Sequence, residues 1–154
     1  MMKKKNLLIS KCLLGENVRF DGGHCKLDLS LFENLQKHFN LKALCPEVMS
    51  GMSIPRDPIE IRDGRIIDKN NTDLTSLFEP VKAIIKDIVE SENITIALLK
   101  EDSPSCGVHY IYDGSFSGTK ISGEGLITNY LRSLGVKVYS EYEVKSLIDH
   151  NPIG

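Results

Sequence analysis

The sequence predicts an α/β fold: a single domain with a mostly parallel sheet flanked by helices, and a small β-hairpin insertion near residues 59–68. Short apolar segments, of which residues 94–98 are rich in β-branched residues, alternate with longer segments in which apolar residues recur at helical spacing. This alternation is typical of Rossmann-like proteins, in which helices cover a parallel sheet. The chain of 154 residues can bury one core and contains no linker, so we assign residues 1–154 to one domain.

The strands are predicted from short apolar runs. Four of these runs are expected to form the parallel sheet: 7–10, 41–44, 94–98 and 136–139. Two further segments, 59–62 and 65–68, flank Asp63-Gly64, a pair of residues that favours a hairpin turn.

The first two helices are predicted from apolar spacing and capping residues. The first helix has Asp28 or Ser30 as its N-cap and ends at Asn40. Its core face would carry Leu31, Phe32, Leu35 and Phe39. The second helix covers about residues 72–90, and Pro80 either kinks it or begins its regular part.

Two more helices are predicted in the last third of the chain. One follows Gly125 and has Gly135 as its C-cap. Ser140 and Glu143 form a capping-box pattern for the last helix, which runs through Asp149. The aromatic, turn-rich segment 110–118 is expected to cover a functional site.

Composition narrows the range of partners. Lys and Arg total 19 and Asp and Glu total 21, so the net charge of −2 does not indicate a nucleic-acid-binding surface. A small-molecule substrate fits this composition better. No apolar run approaches the length of a membrane span, and we expect a cytoplasmic protein without membrane contact. The oligomeric state is not indicated by the sequence.

Three cysteines share one position relative to the predicted strands. Cys12, Cys45 and Cys106 each follow an apolar strand, and Cys106 lies in a turn rich in Ser, Pro and Gly. Ligands of open α/β sheets bind at the carboxyl ends of the strands, where neighbouring parallel strands would bring these thiols together. Cys25 lacks a preceding strand, so we regard it as incidental. The hypothesis is a three-cysteine metal or cluster site with one open coordination position.

Two cofactors suit three thiolates. One is zinc, which usually recruits a histidine, and His109 lies three residues after Cys106. The other is a [4Fe-4S] cluster in which one iron lacks a protein ligand. A solvated loop histidine is the alternative interpretation of His109, and purely structural thiols are the alternative for the cysteines.

Polar residues beside these cysteines are candidates for catalysis. Glu47 could act as a general acid or base on a water molecule, and Ser103 could position that water. The alternatives are a surface carboxylate for Glu47 and ordinary turn chemistry for Ser103. Weaker candidates, for which structural salt bridges are favoured, are Arg56, Lys100 and Asp21.

Several segments together resemble one known family over about residues 9–141, nearly the whole chain. The segments are Cys12-Leu13-Leu14-Gly15, Arg19-Phe20-Asp21-Gly22, Cys45-Pro46-Glu47-Val48, Pro55-Arg56, Lys100-Glu101-Asp102-Ser103-Pro104-Ser105-Cys106-Gly107, Tyr112-Asp113-Gly114-Ser115-Phe116-Ser117-Gly118 and Gly123-Glu124-Gly125. They resemble the family long designated domain of unknown function 523. Its characterised members are thiouracil desulfidases that carry a [4Fe-4S] cluster on three cysteines.

The resemblance implies roles for five residues. Cys12, Cys45 and Cys106 would hold the cluster, and Glu47 and Ser103 would be catalytic. The implied reaction is hydrolytic: substrate sulfur binds the open iron, and water activated by Glu47 attacks the carbon. Many members have a second cysteine in the first loop, in the segment where Val18 and Phe20 stand here. Any role of that cysteine is therefore absent or taken by Cys25.

Three functions are consistent with these observations. The first is a cluster-dependent desulfidase acting on a thiolated pyrimidine base. The second is a zinc-dependent hydrolase built on the same cysteines. The third is a cluster-bearing sensor or sulfur-binding protein without turnover.

Overall fold

A computed structural model describes residues 4–15 and 26–151. The strands are β1 (Lys5–Ser10), β2 (Phe39–Leu44), β3 (Glu60–Arg62), β4 (Arg65–Ile67), β5 (Ile96–Leu99), β6 (Tyr110–Tyr112), β7 (Lys120–Ser122) and β8 (Lys137–Ser140). The helices are α1 (Leu29–His38), α2 (Pro46–Met49), α3 (Glu79–Ser91), α4 (Leu126–Ser133) and α5 (Val144–His150).

A four-stranded parallel sheet with the order β2-β1-β5-β8 forms the centre of the fold. The chain crosses from β1 to β2 on one side and continues through β5 and β8 on the other. The strand order therefore reverses between β1 and β5, the type of position at which open α/β sheets bind ligands. The predicted α/β fold class is confirmed.

Alternating side chains of the strands build a core on each face of the sheet. Leu8 packs on one face, where α3 and α4 contribute Val81 and Ile127. Leu7 packs on the opposite face with Leu35 of α1 and Leu147 of α5. Because helices cover both faces, the central strand β5 is apolar and buried along its whole length, as is usual for parallel sheets, whereas the edge strand β2 also contains the polar residues Asn40 and Lys42.

The local turn and capping predictions agree with the structure. β3 and β4 form the hairpin around Asp63 and Gly64, both of which have positive φ angles. The Asp28 carboxylate caps α1 by accepting hydrogen bonds from backbone N–H groups. Ser140 and Glu143 form a complete capping box on a 3-10 turn that leads into α5. Gly135 has a left-handed φ of 84° directly after the last turn of α4.

Apart from shifts of one or two residues at other element ends, the structure differs from the prediction at three places. α1 ends at His38, and Phe39 is extended, because it pairs with Lys5 as the first residue of β2. The segment predicted as one helix over 72–90 begins with a 3-10 turn, Thr75–Phe78, and Pro80 lies in the first turn of α3, where its missing N–H costs no hydrogen bond. Segment 110–118 begins with β6, which forms a second, unpredicted hairpin with β7.

None of the helices in the part of the chain that the structure describes has the length and apolar character needed to span a membrane.

Candidate functional site

All three predicted cysteines line one cleft of about 420 Å³ at the carboxyl ends of adjacent strands. Cys12 lies in a 3-10 turn directly after β1, Cys45 follows β2, and Cys106 lies in the loop after β5. Cys12 and Cys106 are buried, and Cys45 is half-buried. None of these three thiols is joined in a disulfide in the part of the chain that the structure describes. Cys25 and Asp21 lie outside the described residues.

Burial controls the acidity of two of the thiols. It raises the pKa of Cys45, and the nearby Glu47 carboxylate adds to this effect. Burial also raises the pKa of Cys106, and the proximity of Cys45 is the second cause. Both groups are therefore neutral thiols near pH 7 on their own. A bound metal cation reverses this preference, because coordination deprotonates a thiol.

The donor set fits an iron–sulfur cluster in kind, since such clusters are held by cysteine thiolates. Within residues 4–15 and 26–151, no three cysteine, histidine or carboxylate groups are placed to hold a single metal ion. One zinc ion would require sulfurs about 4 Å apart, and a four-iron cluster takes more widely spaced ligands. His109, the zinc ligand considered from the sequence, is half exposed and pairs with Glu143 at 2.6 Å outside this cleft.

Glu47 lies in the first turn of α2 and faces the same cleft. Its Oε1 accepts hydrogen bonds from Arg56 Nε at 3.3 Å and Nη2 at 3.1 Å. Its Oε2 accepts from Ser105 Oγ at 3.3 Å. The side chains of Arg56 and Glu47 are only 5% and 14% exposed, so the alternative of a surface carboxylate is wrong. The salt bridge expected for Arg56 is present, and its partner is Glu47.

Ser103 organises the turn that carries Cys106. Its Oγ accepts hydrogen bonds from the backbone N–H groups of Ser105 at 3.2 Å and Cys106 at 3.1 Å. Turn chemistry is therefore present at Ser103, and the side chain also lines the cleft. Its hydroxyl oxygen lies 3.1 Å from Ser105 Oγ.

The start of α4 holds the cysteine loop in place. The backbone N–H groups of Leu126 and Ile127 donate to the carbonyls of Pro104 and Ser105, each at 2.9 Å. These loop carbonyls thereby satisfy helix-terminal N–H groups that have no partner within a helix. The buried Thr128 hydroxyl donates to the carbonyl of Cys106 at 2.9 Å.

Glu101 is a buried carboxylate that sequence reasoning missed. Its Oε1 accepts three backbone hydrogen bonds, from Val108 and His109 at 2.7 Å and from Tyr110 at 2.9 Å. It therefore ties the end of β5 to the chain directly after the Cys106 loop. The available sequence signal was an acidic residue two positions after the end of a buried strand. Lys100 forms the expected salt bridge, with Glu141 at 3.0 Å.

The predicted covering segment does extend over the cleft. Tyr112 and Gly118 are among the lining residues. Glu60 of the β3–β4 hairpin also lines the cleft, and its Oε1 accepts hydrogen bonds from the backbone N–H groups of Gly114 and Phe116. The hairpin insertion therefore anchors this cover, a function that its sequence did not indicate.

Comparisons with known proteins agree with this architecture. A solved structure of the [4Fe-4S]-dependent thiouracil desulfidase TudS is similar to the chain, with a TM-score of 0.90 and 35% identity, and the match covers 96% of this chain and 97% of that one. YbbK of Bacillus subtilis (strain 168), described as an uncharacterized protein, is 34% identical over 155 aligned positions that span 92% of this chain and 99% of YbbK. Residues 7–143 match the family model for 2-thiouracil desulfurase. The chain therefore belongs to the 2-thiouracil desulfurase family, whose members are enzymes that remove sulfur.

Proposed function

We propose that this protein is a [4Fe-4S]-dependent desulfidase that removes sulfur by hydrolysis from a small thiolated pyrimidine base such as thiouracil. The observation that carries the proposal is the meeting of Cys12, Cys45, Cys106, Glu47 and Ser103 at one cleft. Family membership and the likeness to a cluster-dependent desulfidase support it. The reaction consumes one water and releases hydrogen sulfide, with no net electron transfer.

The cofactor would be held by Cys12, Cys45 and Cys106. When bound, a [4Fe-4S] cluster with one iron free of protein ligands supplies a Lewis acid with affinity for a soft sulfur atom. The buried surroundings of Cys106 and Cys12 keep bulk water away from this end of the cleft. Exclusion of bulk water strengthens the electrostatic interactions of the polar groups inside.

Glu47 is the proposed general base. A carboxylate oxygen can take a proton from a water molecule within hydrogen-bonding reach, and Arg56 holds this carboxylate by two N–H groups on one oxygen. Ser103 is the proposed group that orients the water or the substrate, because its hydroxyl is held in a fixed turn beside Cys106.

The dimensions and lining of the cleft suit a small planar base. A volume of about 420 Å³ lies in the ordinary range for small-ligand pockets. Apolar side chains contribute to its walls, namely Leu44, Pro46, Pro58, Ile59 and Tyr112. The cytoplasmic location, and a small molecule in preference to a nucleic acid as the substrate, remain predictions from the sequence.

Anaerobic purification followed by iron, zinc and sulfide analysis tests this proposal. We expect brown protein with broad absorption at roughly 400 nm and release of sulfide and uracil from thiouracil. Changing Cys12, Cys45 or Cys106 singly to serine should remove the iron, and Cys25→Ser should leave it largely in place. Zinc in place of iron would support the hydrolase alternative. Cluster-loaded protein without turnover would support the sensor alternative.

A further inference from the structure

A buried serine links the two residues proposed to be catalytic. Ser105 is 1% exposed, and its Oγ lies 3.1 Å from Ser103 Oγ and 3.3 Å from Glu47 Oε2. The same oxygen lies 3.7 Å from Cys106 Sγ. The Ser105 hydroxyl thus contacts the proposed base, the proposed orienting group and a proposed ligand.

The hydrogen bonds among these three side chains run in one direction. Ser103 Oγ accepts two backbone N–H groups, which occupy its two lone pairs and leave its hydrogen to donate. Among the described side chains, Ser105 Oγ is the hydroxyl within reach and accepts that hydrogen, which Ser103 would offer instead to a bound water or substrate. A carboxylate only accepts, and sulfur is a weak acceptor, so the hydrogen of Ser105 goes to Glu47. The chain therefore runs from Ser103 through Ser105 to Glu47.

We infer that Ser105 is a positioning residue for the desulfurisation, because it couples the Ser103 hydroxyl to the Glu47 carboxylate so that the two act as one unit. The inference rests on the proposed function. Arg56 holds Oε1 of Glu47, and Ser105 holds Oε2, so the carboxylate is oriented from both sides. Among the side chains of the described residues, Arg56 would then be the remaining hydrogen-bond donor to the Glu47 carboxylate.

The test is a double-mutant cycle on iron-loaded protein with Ser105→Ala, Glu47→Gln and their combination. We expect Ser105→Ala to lower kcat for thiouracil by about 10-fold with KM little changed. In the Glu47→Gln background the same change should lower kcat by less than about 3-fold. Iron and sulfide content, and the change in cluster absorption on adding thiouracil, should stay as in the parent proteins.

Ser10→Ala is the matched control. Ser10 is a buried serine of the same cleft, and its Oγ accepts a hydrogen bond from the backbone N–H of Lys100. Ser10→Ala should change kcat by the same factor in the wild-type and Glu47→Gln backgrounds, whatever the size of that factor. An equal factor for Ser105→Ala in both backgrounds, or an unchanged kcat, would overturn the inference. Loss of iron from Ser105→Ala would also overturn it and make Ser105 a support for Cys106.

Urea unfolding of the wild type, Ser105→Ala, Glu47→Gln and their double variant tests the coupling without relying on turnover. If Ser105 and Glu47 stabilise each other, the losses in free energy of unfolding caused by Ser105→Ala and Glu47→Gln singly should sum to more than the loss in the double variant. Additive effects would contradict the link even in a protein that turns over thiouracil. A wild-type protein that binds iron without turnover would instead contradict the proposed function, and the unfolding cycle would still decide whether Ser105 is coupled to Glu47.

Discussion

Arg56 donates two hydrogen bonds to one carboxylate oxygen of Glu47, at 3.3 and 3.1 Å, in a pair that is almost fully buried. Loss of one partner from such a pair leaves an uncompensated charge in a poorly solvated position. This pair makes the proposed base dependent on a residue nine positions away in the chain.

We predict that Arg56→Ala will destabilise the protein by about 3 kcal/mol, because it leaves the Glu47 carboxylate without its cationic partner. Arg56→Lys should also lower turnover, because an ammonium group does not reproduce the two fixed N–H groups of the guanidinium. Urea unfolding measures the first effect. Adding Glu47→Gln to Arg56→Ala should recover part of the lost stability. A further loss of stability would show that the unpaired Glu47 charge is not the cause of the destabilisation.

We predict that Glu47→Gln will retain the cluster and lose turnover. The substitution keeps the size of the side chain and removes the base, so turnover should fall by about 10²- to 10⁴-fold. Iron and sulfide content should remain near wild type, and thiouracil should still perturb the cluster absorption. Loss of iron would make Glu47 a ligand or a support for one, and unchanged turnover would exclude it as the base.

We predict that the buried carboxylate of Glu101 is needed to hold the Cys106 loop. Glu101→Ala removes the acceptor of three backbone N–H groups and should cost about 1–3 kcal/mol in stability, with reduced iron content. Glu101→Gln keeps one acceptor oxygen and should have a smaller effect. The neighbouring Asp102 pairs with the exposed Lys120, so Asp102→Asn should cost less stability than Glu101→Ala. Equal effects at both positions would refute a special role for Glu101.

We predict that Gly125→Ala will displace the cysteine loop. A Cβ at this position would lie 2.4 Å from the carbonyl carbon of Ser105 and 2.7 Å from the backbone nitrogen of Cys106. Both are backbone atoms, so the loop must move, and iron binding should fall. At Gly123 the corresponding contact is with the flexible end of the Ile111 side chain, and Gly123→Ala should retain more iron. Similar iron content in the two variants would show that the loop tolerates the displacement.

The features predicted correctly from the sequence depend on residues close together in the chain. Three of them involve residues at most three positions apart: the tight turn at Asp63-Gly64 between Arg62 and Arg65, the Asp28 cap and the Ser140–Glu143 capping box. Such interactions can be recognised from short sequence patterns, since the same few residue types form them in many proteins. The boundary at Phe39 was predicted incorrectly because strand pairing with Lys5, a distant residue, decided its conformation.

The α/β class and the placement of three cysteines after apolar strands could be predicted from local sequence patterns, because burial of strands and helices dictates the spacing of apolar residues. Which polar groups lie beside those cysteines could not, because it depends on contacts between distant parts of the chain. The Ser105–Glu47 contact spans 58 positions and the Glu60–Gly114 contact spans 54. Contacts of this kind follow from the order β2-β1-β5-β8 and from helix packing, which join the ends of distant strands at one cleft.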